Sequence, residues 1–457
     1  MKDKLKILII THYFPPLNSI ASHRPYSWAK YWSKMGHDVT VLTTPKEQRD
    51  NNLNLPFDGF KVIEIENKVL QKLLKVSKYS ELAKKNPKYN ENAESNTKRK
   101  FLTKFLTKLH YIARETSSKY GCFINDARMP LILDFWYIYV IRNLNKINKD
   151  FDIVVSTYAP YIAHLLALKF KKNKIAKFWV ADYRDLWTQT HLYKGLFPFT
   201  LVEEFLEKKV NKTADLITIV SEPLARKIMD KYKINNVEVI YNGFDDEILK
   251  NINPKRFWND NKIRIVYTGT IYKGFRDPTP LFKAVKELEN SEYKHLLKNL
   301  EIIFVGGNKG NLDNLIENLQ VHDYVKHLGF VKQEDSLRMQ RDAHVLLFLE
   351  FKSKEQDGIL TGKLFEYLFS GTQIWAVGMD EKNSAGKLIT ESRCGICFGE
   401  NVELIKSYLI NLLTSGQKPV ISPNFEILNE FSRKKQAEKL LNFILEKYGQ
   451  KKDVNVS

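Results

Sequence analysis

Short apolar runs suited to buried strands alternate with segments of helical spacing along most of the chain. The pattern opens with a strand at 5–10, a helix near 22–34 closed by Gly36-His37, and a second strand at 38–43, a βαβ beginning. Further strands are expected at 61–65, 151–156, 177–181, 216–220 and 237–240, with helices at 161–170, 201–212 and 222–232. These make one doubly wound domain over 1–243. A polar linker at 244–262 follows, and the βα pattern then restarts with a strand at 263–268 and a helix at 280–288. It continues through strands at 301–305, 325–328, 343–348, 373–377 and 395–398 and helices at 312–319, 336–341 and 363–370, a second α/β domain over 263–424. A lysine-rich helix near 426–448 lies in the last segment, 425–457. Two such domains are expected to face each other across a cleft, with ligands beyond the carboxyl ends of the strands.

Composition adds the partner. With 457 residues, 43% of them hydrophobic and 27% charged, the chain suits a folded protein of two or three domains and excludes disordered or collagen-like classes. Lys plus Arg number 72 against 53 Asp plus Glu, a net charge of +19 that favours partners carrying phosphate or anionic lipid. Three cysteines cannot staple a chain this long, so a reducing compartment is expected. Of these, Cys394 and Cys397 have Cys-x-x-Cys spacing, but the second half of a zinc site is absent. The apolar run at 7–10 is too short for a signal-peptide core. The stretch at 129–141 is interrupted by Asp134 and falls short of the ~20 residues that cross a bilayer. A cytoplasmic protein is the expectation.

Residues 67–125 break the alternation. Within them, 97–114 carries Lys98, Arg99, Lys100, Lys104, Lys108 and Arg114 and no acid, while Phe101, Leu102, Phe105, Leu106, Leu109 and Ile112 recur at helical spacing. A basic amphipathic helix of this kind suits an anionic membrane surface. The competing reading is a solvated helix whose apolar stripe packs on its own domain.

The candidate chemistry sits at strand ends. The first strand runs into Thr11-His12-Tyr13-Phe14-Pro15-Pro16-Leu17-Asn18-Ser19 and a helix containing His23 and Arg24. A loop that ends at a helix N-terminus offers backbone N–H groups to a phosphate or sugar hydroxyl. The loop resembles the first loop of GT-B glycosyltransferases of family 4, with Asn18-Ser19 where the family commonly has a glycine pair. Trp179-Val180-Ala181-Asp182-Tyr183-Arg184-Asp185-Leu186-Trp187 follows a strand, and its charges are costly if buried unpaired, so Arg184 is expected to pair with one of the acids. An Asp-x-Arg-Asp-x-Trp segment is similar to that of family 4 enzymes acting on bacterial surface-polysaccharide intermediates. Asp185 is the first candidate for activating or orienting the acceptor hydroxyl, with Arg184 as its orienter; His12, His23 and His164 are weaker candidates. Ser221-Glu222, followed by Tyr241-Asn242-Gly243-Phe244-Asp245, resembles the family's interdomain turn.

In the second domain, Tyr267-Thr268-Gly269 leads into a loop carrying Lys273 and Arg276, cations suited to a diphosphate. Later, Thr361-Gly362-Lys363 opens a helix that also bears Glu366. A lysine in a helix's first turn is unfavourable unless an anion shares the dipole. Glu366 is placed to accept from ribose hydroxyls. The family's motif has a further glutamate where Gly358 stands, so the sugar-contacting acid is either missing or supplied by Glu355 or Asp357 from a shifted loop. Gly306 and Phe330 lie in segments that resemble the family's strand ends near the pyrophosphate and base. The segment with Phe431-Ser432-Arg433 resembles the family's closing helix, which crosses back to the first domain.

The resemblance implies an α/β GT-B fold of two Rossmann-like domains, with an acceptor domain first and a nucleotide-sugar donor domain second. It implies a retaining transferase that needs no metal or other cofactor, with Lys363 and Arg276 or Lys273 meeting the departing diphosphate. The expected partners are a nucleotide-sugar donor, a lipid-linked or glycan acceptor and the anionic inner face of the cell membrane, with no nucleic acid. The rivals are a sugar-nucleotide epimerase of the same fold and a non-catalytic basic module that binds membrane or nucleic acid.

Overall fold

The structure, a computed structural model, describes residues 4–46, 53–68, 115–117, 119–123, 127–190, 193–245, 247, 255–271, 276–307, 309–349 and 360–456. The basic amphipathic segment expected at 97–114, and Lys273, Glu355, Asp357 and Gly358, lie outside the described residues.

The chain forms two compact units, Met1–Ile240 with Ala437–Ser457, and Tyr241–Gln436. The strands of unit 1 are β1 (Lys6–Ile10), β2 (Asp38–Thr43), β3 (Lys61–Glu64), β4 (Phe151–Tyr158), β5 (Ala176–Tyr183), β6 (Leu216–Ile219) and β7 (Val237–Val239). They pair in parallel in the order β3-β2-β1-β4-β5-β6-β7. Parallel strands are covered on both faces, and β1 and β2 accordingly read as apolar runs buried after their first residue. The helices are α1 (Ile20–Lys34), α2 (Phe135–Arg142), α3 (Ile162–Lys172), α4 (Phe199–Thr213) and α5 (Glu222–Tyr232). Ser19 caps α1 by accepting from the Ala21 N–H, which satisfies one of the helix's unpaired donors.

In unit 2, β8 (Ile263–Thr268), β9 (Leu300–Val305), β10 (Val325–His327), β11 (Val345–Leu349), β12 (Gln373–Val377) and β13 (Gly395–Gly399) pair in the order β10-β9-β8-β11-β12-β13. Helices α6 (Thr279–Glu289), α7 (Leu312–Leu319), α8 (Gln333–Asp342), α9 (Gly362–Phe369), α10 (Ser384–Glu391) and α11 (Val402–Ser415) connect and flank them.

The closing helix expected at 426–448 is two helices, α12 (Phe425–Glu430) and α13 (Arg433–Val456). The break is held by backbone pairing: Phe244 bridges Ser432, and Arg433 N donates to Phe244 O at 2.9 Å. Ala437, Leu440, Leu441, Ile444 and Tyr448 of α13 are buried in the core of unit 1 with Ile7, Ile9, Val39 and Val41. Trp32 Nε1 donates to Ala437 O at 2.9 Å.

Candidate functional site

In each sheet the strand order reverses at one place, between β1 and β4 in unit 1 and between β8 and β11 in unit 2. Loops leaving the carboxyl ends of such strand pairs diverge and leave room for a ligand. The sequence-derived candidates divide between these two places.

At the unit 1 place, the Asp-x-Arg-Asp-x-Trp segment follows an arrangement different from the one expected. Arg184 pairs with neither acid by the contacts seen: its Nε donates to Tyr158 O at 3.0 Å, and its guanidinium lies 5.0 Å from the centre of the Tyr13 ring. The buried acid is Asp182, and its cation is Arg24, an acceptor-or-loop candidate on the helix that follows the first loop. Arg24 Nε and Nη2 donate to the two carboxylate oxygens at 3.1 and 2.7 Å. Thr157 and Thr218 hydroxyls add bonds at 2.9 and 2.8 Å. Both partners are buried, so a charge that would be costly alone is held by a two-pronged ion pair and further donors. Arg24 thus ties α1 to β5 through Asp182. Asp185 is exposed. Trp187 is buried, with Nε1 donating to Glu203 Oε1 at 3.0 Å, and Arg128 clamps the same carboxylate.

Of the histidines, His164 is fully buried and its Nδ1 bonds the Ser156 hydroxyl at 2.7 Å. Burial pushes its imidazole down to about 3, which removes it as an acceptor base. His23 is buried as well. His12 stands beside Thr44, 2.8 Å from its hydroxyl, and its imidazole is held well below the usual range by burial, then by Lys46 and Arg184. Lys46 and Thr44 are functional candidates that sequence reasoning missed; the available signal was a lysine just past the end of the second strand. Asn18 is partly exposed on the same loop as the capping Ser19.

At the unit 2 place, Gly269 has φ of +120°, a backbone region that favours glycine. A Cβ there would lie 3.7 Å from Lys363 Cδ and 3.9 Å from Arg276 Nη1. Lys363 is buried in the first turn of α9, its Nζ 3.9 Å from the centre of the Tyr267 ring. Arg276 Nη1 donates to Tyr267 Oη at 3.0 Å and Thr270 O at 2.8 Å. A Cβ on Gly306 would fall 2.2 Å from Gly269 O, so bare backbone lets the ends of β8 and β9 meet. Glu366 accepts from Gln340 Nε2 at 3.2 Å. Burial holds its carboxyl above the usual range, opposed by that bond and by Arg433 and Lys363. Thr361 Oγ1 is buried with no hydrogen-bond partner among the described residues, and Gly362 begins α9 beside it. Phe330 stands out of the surface, 74% exposed.

The model of Glycosyltransferase Family 4 matches residues 109–248. No curated protein matches the chain in sequence. Among solved structures, a glycosyltransferase from Rickettsia africae is similar with a TM-score of 0.56 at 13% identity, covering 97% of this chain and 99% of that one. The catalytic domain of starch synthase IV from Arabidopsis thaliana, bound to ADP and acarbose, is similar at 0.54 and 10%, covering 98% and 100%. A Listeria monocytogenes chain described as a UDP-N-acetylglucosamine 2-epimerase is similar at 0.51 and 12%, covering 98% of each. These likenesses show the fold, which is GT-B. The family match covers less than a third of the chain, residues 109–248.

Proposed function

From the premise of a GT-B glycosyltransferase with a family 4 segment at residues 109–248, we propose that the protein is a retaining enzyme acting on a nucleotide diphosphate sugar. Its acceptor is membrane-associated and lipid-linked, and its product enters surface polysaccharide or glycoconjugate assembly at the inner face of the cell membrane. The observation that carries the donor half is the convergence of Lys363 and Arg276 on Gly269, where the backbone has no Cβ. Breaking the bond from the sugar's anomeric carbon to the diphosphate leaves negative charge on the phosphate oxygens. Cationic side chains fixed before the reaction stabilise that charge without reorganising. Lys363 stands in the first turn of α9, where the helix dipole disfavours it until an anion shares the place. In this reading these cations meet the leaving group with no metal ion, Glu366 accepts from the ribose hydroxyls, and Asp185 orients the acceptor hydroxyl.

The membrane half is supported by one face of α4. Phe197, Leu201, Val202 and Phe205 are 75%, 60%, 45% and 63% exposed, and except for Phe197, two residues before the helix, they lie on it. Lys208 and Lys212, with Lys231 and Lys233, line a hollow beside Glu204 and Tyr232. Lys209 crowds Lys172 closely enough to lower its pKa. An exposed apolar face rimmed by crowded cations is complementary to an anionic lipid surface. No described helix is long and apolar enough to cross a membrane.

The deciding experiment screens UDP-, GDP- and ADP-sugars for thermal stabilisation and then repeats the successful one with Lys363→Met. The native protein should be stabilised by one donor class. The variant should lose that shift and about 10²–10³-fold in turnover. Transfer should persist in EDTA, and the product should keep the donor's anomeric configuration. Conversion of donor alone into an epimer would replace transfer with epimerisation, and an unchanged shift in Lys363→Met would remove the donor site.

A further inference from the structure

At the carboxyl edge of the unit 1 sheet, three basic side chains that arrive on different loops are gathered around Thr44 and Tyr13. His12 follows β1, and its Nδ1 lies 2.8 Å from Thr44 Oγ1. Lys46 follows β2, and its Nζ donates to the same hydroxyl at 2.9 Å, to Thr43 Oγ1 at 3.0 Å and to Thr44 O at 2.6 Å. Arg184 follows β5, anchored to Tyr158 O at the end of β4, with Tyr13 between it and His12: ring centres of His12 and Tyr13 are 5.2 Å apart, and Arg184 lies 5.0 Å from the Tyr13 ring. The four strands concerned, β2, β1, β4 and β5, are adjacent, and the strand order reverses in their middle.

We infer that His12, Lys46 and Arg184 form a phosphate-binding site in unit 1, and that it takes the phosphate or diphosphate group of the acceptor. The geometry sets three basic side chains of unlike reach on rigid strand ends, at the place where a parallel sheet receives ligands, where a bound anion would compete with the hydroxyl and carbonyl oxygens that Lys46 now contacts. The electrostatics point the same way. Burial brings Lys46 down to about 7, which Glu64 partly offsets. His12 is lowered by burial and then by Lys46 and Arg184. A bound diphosphate reverses the local potential and allows both groups to hold protons. Arg184 is thus assigned to the acceptor's phosphate rather than to Asp185, which remains the carboxylate for the acceptor hydroxyl. The assignment rests on the glycosyltransferase reading for the word acceptor, but its ligand chemistry is open to test without any transfer.

The test follows the ring signals of His12 by NMR in the full chain carrying isotope-labelled histidine, with His12→Gln to identify them, while inorganic pyrophosphate is added. Saturable movement of the His12 signals is expected. Lys46→Gln and Arg184→Gln, each first shown to unfold like the native protein, should weaken the apparent affinity at least about ten-fold, the loss of one charge-assisted contact. Lys363→Met should leave this titration unchanged while losing nucleotide stabilisation. Repeating the titration with farnesyl diphosphate and with a soluble hexose phosphate separates the sources. Tighter binding of the first identifies a prenyl-linked diphosphate, tighter binding of the second a free sugar phosphate, and either supports the site. His12 signals that stay still, or an affinity indifferent to Lys46→Gln and Arg184→Gln, overturn it. If nucleotide stabilisation survives that outcome, the donor reading stands and only this site falls.

Discussion

Arg24 and Asp182 form a buried ion pair that takes four hydrogen bonds onto one carboxylate, two from the arginine and two from threonines. Removing one partner leaves the other charge buried and unpaired, which costs about 3–5 kcal/mol. Arg24→Met should therefore lower the stability measured by denaturant unfolding by about that amount, and adding Asp182→Leu should recover part of it. Lys46 gives a pH dependence of known sign. Its folded value of about 7 lies below an ordinary lysine's 10.5, so between these values the unfolded chain holds a proton that the folded chain has released. Stability contributed through Lys46 therefore rises with pH across that window, and the penalty is complete below about 7. Pyrophosphate, which favours the charged lysine, should raise the melting temperature most near neutrality and least near about pH 9, as scanning fluorimetry would show. Side-chain partners of this kind were poorly legible in the sequence. Asp182, Arg184 and Asp185 were recognisable as a charged segment at a strand end, but Arg24 lies 158 positions from Asp182, and no local spacing links them.

At the scale of elements, α4 joins two functions on opposite faces. Its inner face buries Glu203 and Glu207: Glu203 is held by Arg128 and Trp187, and Glu207 accepts from Tyr232 at 2.7 Å. Its outer face presents Leu201, Val202 and Phe205 to solvent. A helix that spends acids inside and apolar side chains outside reverses the usual amphipathic arrangement, and a lipid surface supplies what the outer face lacks. Leu201→Glu combined with Phe205→Glu should reduce flotation with phosphatidylglycerol vesicles at least about ten-fold and leave nucleotide stabilisation unchanged, since both residues belong to unit 1 and the donor candidates to unit 2. Strands were the most legible elements: those at 38–43, 263–268 and 373–377 stand where the apolar runs place them. Helix α2, read only as part of an apolar stretch, and α10 and α11 were not foreseen. Short or nearly all-apolar helices carry little periodicity, and packing against a sheet decides them.

For the whole molecule, the net charge of +19 acts together with these local features. Binding to anionic vesicles should weaken steeply between about 0.05 M and about 0.5 M salt, where screening shortens the reach of surface charge, and binding to neutral phosphatidylcholine vesicles should stay weak throughout. A salt-independent flotation would remove the electrostatic part of the membrane reading. The α/β class, the two successive runs of βα units and the location of candidate chemistry at strand ends were all determined by sequence, because apolar runs and turn residues act over a few positions. The tertiary structure decided which charged groups meet. It set Arg24 on Asp182, brought Lys46 beside His12, and drew Lys363 and Arg276 to Gly269. Those encounters depend on strand order and loop direction, which bring together side chains far apart along the chain, and a periodic pattern read along one strand or helix contains no term for them.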